Sequence, residues 1–381
     1  MGTEPALLPR RTPRVRGLAL RDHLWLTSPA VDTHRHQAER RSRMVTSRDV
    51  ARVAGVSQST VSYVMSGRRS ISAETRRRVE AAIEQLTYQP NAGARALASQ
   101  RTQVIGLVVP FAPGADPAGL LPFIETIASC ARAEDHDVLL VTADEGSSGL
   151  TRLAGRRLCD AIVMMDIGAE DARIPVAATL DVPVILIGVP DDSSGLQCVD
   201  VDFALAGRLA VAELAAAGHD RVVLIGYTAE VVERDINFVR RFQGGAADAA
   251  AELGLGHEVV APVASGRAGA EDAVRRALEL GGDRPGLVVP NSHVVPHVAQ
   301  ALLDRGLVLG RDVSLVGLCT DAAALACTPA VTNVSLEPRD VSRRAMQTLF
   351  QLLDRTAEPP SELVELVTPR LTRRETTLPA P

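Results

Sequence analysis

Between Thr46 and Leu86 the apolar residues recur at helical spacing in three short stretches. In the first, Val50, Val53 and Ala54 fall at i, i+3 and i+4, one stripe on one helical face. Thr46 followed three residues later by Asp49 has capping-box spacing, so the helix starts there. Gly55 ends it, because glycine tolerates the left-handed backbone that follows a helix, and Val56 is placed to plug the turn. A second helix follows, with Ser57 as N-cap, Val61, Val64 and Met65 inward, and Gln58, Ser59, Ser62 and Tyr63 outward. The third is capped by Ser72 and runs from Ala73 to Leu86, with Val79, Ile83 and Leu86 inward and Arg76, Arg77 and Arg78 on its exposed side. Pro90 stops it, and Asn91 to Ala98 is a weakly helical run too short to be stable alone in water.

After Arg101 the period changes. Apolar runs at Val104 to Val109, Val138 to Val141, Ala161 to Met165, Val184 to Ile187, Val222 to Ile225, Leu287 to Val289 and Val313 to Val316 alternate with amphipathic stretches. Strand, helix, strand at this spacing predicts doubly wound, mostly parallel sheets in a two-lobed domain with a cleft. By chain order the lobes part near Arg221, the second reaches about Thr332, and later crossings return to the first. Gly218 and His219 fit a helix end before a strand, and His219 is read as structural.

Two helices joined through a glycine, the second exposing Gln, Ser, Thr and Tyr near its N-terminus, suit base edges in a major groove. Charge divides the chain accordingly. Residues 44–101 carry +5, residues 1–43 another +5, and the remainder −15, for a net −5. A basic front on an acidic protein is expected when one domain meets phosphate and the other maintains solubility.

The run DVARVAGVSQSTVSYVMSG, then ISAETRRRVEAAIEQLTYQPNAGARALASQRTQVIGLVVP, resembles almost position for position the DNA-binding headpiece of the LacI/GalR family of bacterial repressors. The later run VDVDFALAGRLAVAELAAAGHDRVVLIG is similar to that family's ligand-binding core, itself similar to periplasmic sugar-binding proteins. The resemblance implies a small all-α helix-turn-helix headpiece on a two-lobed α/β sensor, and a pseudopalindromic double-stranded operator bound by a homodimer. It makes Gln58, Ser59 and Tyr63 base readers, Asn91 to Ala98 a hinge helix that folds on the operator, and Leu97 a minor-groove wedge. Thr46, Ser57, Thr60, Ser62, Asn91 and Arg95 complete the expected DNA-contacting set. Tyr63 is a departure, since an arginine often stands there in relatives, and the guanine preference such an arginine brings is not carried over.

For a small-molecule effector the same resemblance points to Arg241, in RRFQG, and to Asn291, Ser292 and Cys319. Ser292 stands where the family commonly has Asp, and GLCTD (Gly317 to Asp321) replaces a run that often supplies a sugar-binding carboxylate. Those losses weaken the case for an ordinary sugar and leave open an acidic or less polar effector, or a degenerate site with none. Arg241 has an alternative role as a surface or interlobe ion pair.

At 381 residues and 46% hydrophobic content the chain holds a small domain and a large one. The expected divisions are an extension over 1–43, a DNA-binding domain over 44–90, a hinge over 91–101 and the sensor over 102–381. The extension is rich in Pro and Arg and lacks lasting periodicity, so either translation starts at Met44 or a disordered basic arm precedes the headpiece. No apolar run reaches membrane-spanning length and no signal peptide begins the chain, which predicts a cytoplasmic protein. The five cysteines lack zinc spacing and are read as small buried hydrophobes. An enzyme is disfavoured: the chain has no Lys, which removes a P-loop, a Schiff base and an SxxK nucleophile, and HExxH and GxSxG are missing. His293 and His297, at i and i+4, lack a third metal ligand, and no cofactor or metal is expected. The C-terminal run LTRRETTLPAP has no leucine heptad for a second interface, which favours a dimer over a tetramer.

Overall fold

Capping chemistry and narrow apolar stripes set the helices of the first unit in the computed structural model, which describes residues 45–66, 69–88, 101–111, 117–354, 356–358 and 360–377. The chain divides into one unit ending at Asn91 and another beginning at Ala92. In the first, helices Ser47–Ala54, Gln58–Ser66 and Ala73–Leu86 enclose a small core of Val50, Ala51, Ala54, Val61, Val64, Val79 and Ala82. The Asp49 carboxylate accepts from the Thr46 amide at 3.0 Å and hydroxyl at 2.7 Å, closing the N-terminus from the acid side. At the other end Gly55 is left-handed, at φ 63°, and the Val56 amide reaches back to Ala51 O. Ser57 Oγ accepts the Thr60 amide, and Ser72 Oγ the Thr75 amide.

Two expected core positions move outward: Val53 is 43% exposed and Met65 37%. The first helix buries the 50, 51, 54 edge and the second the 61, 64 edge. Helices of two turns around so few side chains bury a narrower stripe than the apolar pattern offers.

The second unit contains two six-stranded sheets of matching topology. The first runs β11-β5-β4-β3-β1-β2, from Val364–Val367, Gln197–Val201, Val184–Ile187, Ala161–Met165, Val104–Val109 and Asp137–Thr142, and every pairing is parallel. The second runs β12-β10-β9-β8-β6-β7, from Leu371–Thr372, Thr332–Val334, Ser314–Leu318, Gly286–Val289, Arg221–Ile225 and Gly256–Val260, parallel except for β12. The doubly wound expectation therefore holds. Five strands were not anticipated, namely β5, β7, β10, β11 and β12. Strand β5 carries Asp200 within its apolar run, β7 is a polar-edged border strand, and the other three are short.

The lobes part earlier than Arg221. Helix Phe203–Ala216 lies against the second sheet and helix Asn237–Leu253, so the chain crosses directly after Val201. Glycines enforce that packing: a Cβ on Gly207 would stand 2.3 Å from Phe242 O, and one on Gly245 2.1 Å from Ala204 O. The chain returns after Val334, where helix Pro338–Leu353 packs on helix Pro117–Ala133 of the first lobe, and crosses again between β11 and β12. His219 is the expected structural residue. It is buried, with Nδ1 against Arg284 O at 2.9 Å and Nε2 against Ser314 Oγ at 2.7 Å, and burial lowers its pKa. The cysteines are all unpaired, and burial holds Cys159 near 11 and Cys198 near 12. Among the described residues no helix is long and apolar enough to cross a membrane.

Candidate nucleic-acid interface and interlobe cavity

Helix Gln58–Ser66 buries Val61 and Val64, and helical periodicity therefore turns Gln58, Ser59, Ser62 and Tyr63 to solvent, where all four are exposed. At its start Ser57 Oγ lies 2.7 Å from Ser59 Oγ and 2.8 Å from Thr60 Oγ1, a hydroxyl cluster around the cap. Gln58 Nε2 donates to Ser47 Oγ at 2.8 Å, tying the second helix to the start of the first. The Arg69 guanidinium lies 5.6 Å from the Tyr63 ring centroid, a cation on the aromatic face. Arg48 and Arg76 are exposed, while Arg52 pairs with Asp49 at 2.7 Å. The arrangement presents exchangeable hydrogen-bond donors and acceptors beside positive charge, as a base-reading face requires. Thr46 is occupied by the cap of the first helix. Asn91, Arg95 and Leu97 lie outside the described residues.

Sequence reasoning missed one function of the arginine run. Arg78 folds over the turn and donates to Ala54 O at 3.1 and 2.8 Å and to Gly55 O at 3.0 Å. It therefore caps the first helix from the third. No local motif announces a bond across 23 or 24 residues.

In the second unit the carboxyl ends of the strands face one another across a cavity of about 220 Å³, the position at which open α/β sheets bind ligands. From the first lobe come Asp166 and Ile167 after β3, Gly188 after β4, and Asp200 with Val201 at the end of β5. From the second come Tyr227 after β6, Asn291 and Ser292 after β8, Leu318 at the end of β9, and Phe238. Phe203 and Phe238 stack at 4.9 Å, and Tyr227 meets Phe238 edge-on at 6.1 Å.

The buried polar groups around this cavity are largely engaged with one another. Asp166, left-handed at φ 60°, pairs across the lobes with Arg234, and its carbonyl accepts from Arg173 at 2.8 Å. Burial raises the Asp166 pKa, and Arg234 opposes that shift. Asp200 is buried and its pKa is pushed up to about 6 by burial, against the lowering effect of Arg241 at 2.8 Å. Tyr227 donates to Pro290 O at 2.5 Å, and burial pushes its pKa well above the usual phenol value. Further interlobe bonds run from the Ala169 amide to Asp235 O, from the Asn237 amide to Ile167 O, and from Asn237 Nδ2 to Val189 O.

Of the four residues expected at the effector site, Asn291 and Ser292 line the cavity. Arg241 stands behind it. Its guanidinium carbon is 5.9 Å from the Phe203 ring and its nitrogens hold Asp200 and Val201 O, so the alternative reading as an interlobe ion pair describes its contacts. Cys319 is a correction. It is fully buried in the second lobe's core with Val289, Val295 and Cys327. Leu318 faces the cavity, and strand alternation sends the next side chain to the other face of the sheet. Asp321, the remaining acid of GLCTD, pairs with Arg374 at 2.9 Å within the second lobe. Asp166, Asp200, Arg234 and the aromatic residues were not anticipated. An acid one residue beyond an apolar strand and an acid inside another were the available signals.

Comparison with known proteins gives concordant results. Residues 46–91 match the bacterial regulatory proteins of the lacI family, and residues 211–377 match a periplasmic binding protein-like domain. The chain is 31% identical over 280 residues to the HTH-type transcriptional regulator AglR of Rhizobium meliloti (strain 1021), covering 71% of this chain and 76% of that one. It is 28% identical over 318 residues to catabolite control protein A of Priestia megaterium, covering 82% and 93%. The fold is also similar to that of the Lac repressor dimer bound to operator and the anti-inducer ONPF, with a TM-score of 0.75 at 24% identity over 88% of this chain and 100% of that one.

Proposed function

We propose, from the premise that this chain belongs to the lacI family of bacterial regulatory proteins, that it is a dimeric transcriptional repressor whose operator affinity is set by a small molecule in the interlobe cavity. The observation that carries this reading is the pairing of two features in one chain. One is a recognition helix whose outward residues Gln58, Ser59, Ser62 and Tyr63 have no core to serve. The other is a two-lobed domain with a lined cavity between its sheets. An enzyme reading leaves the helix without a use, and a plain binding protein does the same.

Two headpieces on a two-fold axis read the halves of a pseudopalindromic site, and Asn91, Arg95 and Leu97 act at its centre. Apolar side chains left exposed at sheet borders, including Leu139 and Leu140 on β2 and Val259 on β7, supply surface for a second copy of the chain. Such a protein works in the cytoplasm, against chromosomal DNA. Ligand closure of the cleft alters the relation between the first lobes of the dimer and so the affinity for the operator.

Selection of bound sequences from random duplex DNA at two salt concentrations tests the reading. A palindromic motif whose affinity falls with salt is the expected result. Salt-sensitive binding without any motif, or no binding, overturns it.

A further inference from the structure

We infer that the interlobe cavity takes a compact, neutral, largely aromatic or alicyclic molecule with one or two hydrogen-bonding groups at one end, rather than a polyhydroxylated sugar; this rests on the reading of the second unit as an effector sensor.

The distribution of aromatic residues is the first ground. The chain has only ten Phe, Tyr and Trp residues in 381. Four of them, Phe123, Phe203, Tyr227 and Phe238, line this one cavity. Three form a continuous ring cluster, with Phe238 between Phe203 and Tyr227. Ring walls of this kind pack against another ring or a saturated carbocycle through dispersion and offset or edge contacts.

The second ground is the occupation of the polar groups. Asp166 is held by Arg234, Asp200 by Arg241, and the Tyr227 hydroxyl by Pro290 O. Each ion pair cancels in charge, the first within the cavity wall and the second with Arg241 standing behind it, so neither leaves an uncompensated charge for an ionic ligand. A sugar carries hydroxyls around its whole rim, and each one buried here without a partner would count against binding. Asn291 and Ser292, at the carboxyl end of β8, form the polar end. Asn291 Oδ1 accepts the His293 amide at 3.1 Å, which leaves the Asn291 amide group as a donor and Ser292 as donor or acceptor.

Size is the third ground. The cavity of about 220 Å³ exceeds the ~150 Å³ apolar cavity known to hold benzene and falls below the ~300–1,000 Å³ of drug-sized sites. One ring or a fused pair fills a space of this size.

The test is thermal unfolding of the full chain with millimolar indole, benzyl alcohol, D-glucose or maltose, in parallel with operator binding by the same preparation. Indole or benzyl alcohol is expected to raise the main transition by about 3 °C at ten times its Kd, and both sugars to leave it in place. Leu120→Trp fills the cavity from helix Pro117–Ala133 and is expected to abolish the rise while the circular dichroism stays native. Phe238→Leu keeps the site apolar but removes the central ring, and is expected to weaken indole severalfold. The inference is overturned by a rise with either sugar, by no rise with either aromatic probe, or by an indole effect that persists in a folded Leu120→Trp protein. Absence of operator binding by the ligand-free protein, with the indole rise intact, would instead sink the regulator reading and leave the cavity's chemistry standing.

Discussion

The recognition helix and the interlobe cleft treat their polar side chains in opposite ways. On helix Gln58–Ser66, Ser59, Ser62 and Tyr63 are exposed, and the bonds they and Gln58 make are short-range and open to exchange with water. In the cleft, Asp200 and Tyr227 are buried and Asp166 nearly so, and each already has a partner inside the protein. A hydrated, charged polymer is read by groups that can trade a water for a base edge. In the cleft the buried polar groups bond across the lobes instead. The exposed polar residues of the second helix are therefore open to exchange their partners, whereas most of those in the cleft hold the lobes together.

The harshest way to break this comparison is to remove the frame on which the reading helix stands. Val61 is fully buried among six other core residues. Val61→Asp places a carboxylate there at a cost of several kcal/mol, comparable with the whole stability of so small a domain. The expected outcome is total loss of operator binding with the main thermal transition unchanged, followed by fluorescence anisotropy and calorimetry. A fall in the main transition would mean that the two units unfold as one.

Arg241→Ala probes closure next. It strands a buried Asp200 carboxylate, a loss of about 3 kcal/mol or more for a buried pair broken on one side. The sign with pH is fixed by Asp200, whose folded pKa of about 6 lies above the ordinary 3.8. Between those values the folded state holds more protons than the unfolded one, so this group's contribution falls as pH rises through the window and is least favourable above it. Removing Arg241 takes away a charge that lowers that pKa. The deficit of the variant is thus largest above the window and shrinks on acidification, and Arg241→Ala combined with Asp200→Asn recovers part of it. A deficit independent of pH would show that Arg241 acts only by packing on Phe203.

The two regions also differed in how far they could be read from the chain. In the headpiece the signals are local: Thr46 and Asp49, Gly55, and Ser57 each act within a few residues, and each behaves as its chemistry requires. The apolar stripe was less informative at Val53 and Met65, because exposure there depends on how few neighbours the core supplies. The cleft is assembled from strand ends distant in sequence. Asp166 meets Arg234, and Asp200 meets Arg241, only because β3, β5 and helix Asn237–Leu253 are brought together by the lobe crossings. Asn291 and Ser292 were named from the family resemblance of VVPNS and stand just past the end of β8 on the cavity wall, whereas Cys319, named from the same resemblance, was misplaced by one step of strand alternation.

A smaller effect sharpens the reading side. Among the described residues the Gln58 side chain is bound only to Ser47, an exposed contact that a base edge can replace. Gln58→Ala is expected to leave the headpiece folded and to cost about 1–3 kcal/mol of discrimination at one position in each half-site, measured by repeating the sequence selection. Unchanged preference at every position would move base reading to Ser59, Ser62 or Tyr63.

The mildest test concerns Arg78, which lies on the arginine-rich face but works inward. Its bonds reach the carbonyls of Ala54 and Gly55, the negative end of the first helix. Exposure screens them, so Arg78→Ala should lower headpiece stability by only about 1 kcal/mol. Arg76→Ala, removing an exposed neighbour, should leave stability alone. Both variants are expected to weaken DNA binding, but for different reasons. Losing Arg76 removes a charge near phosphate and flattens the salt dependence. Losing Arg78 loosens the turn that aims the second helix, so weaker binding appears together with a lower headpiece melting temperature. Should Arg78→Ala flatten the salt dependence with no change in melting, Gly55 alone would hold the turn and Arg78 would belong to the reading surface instead.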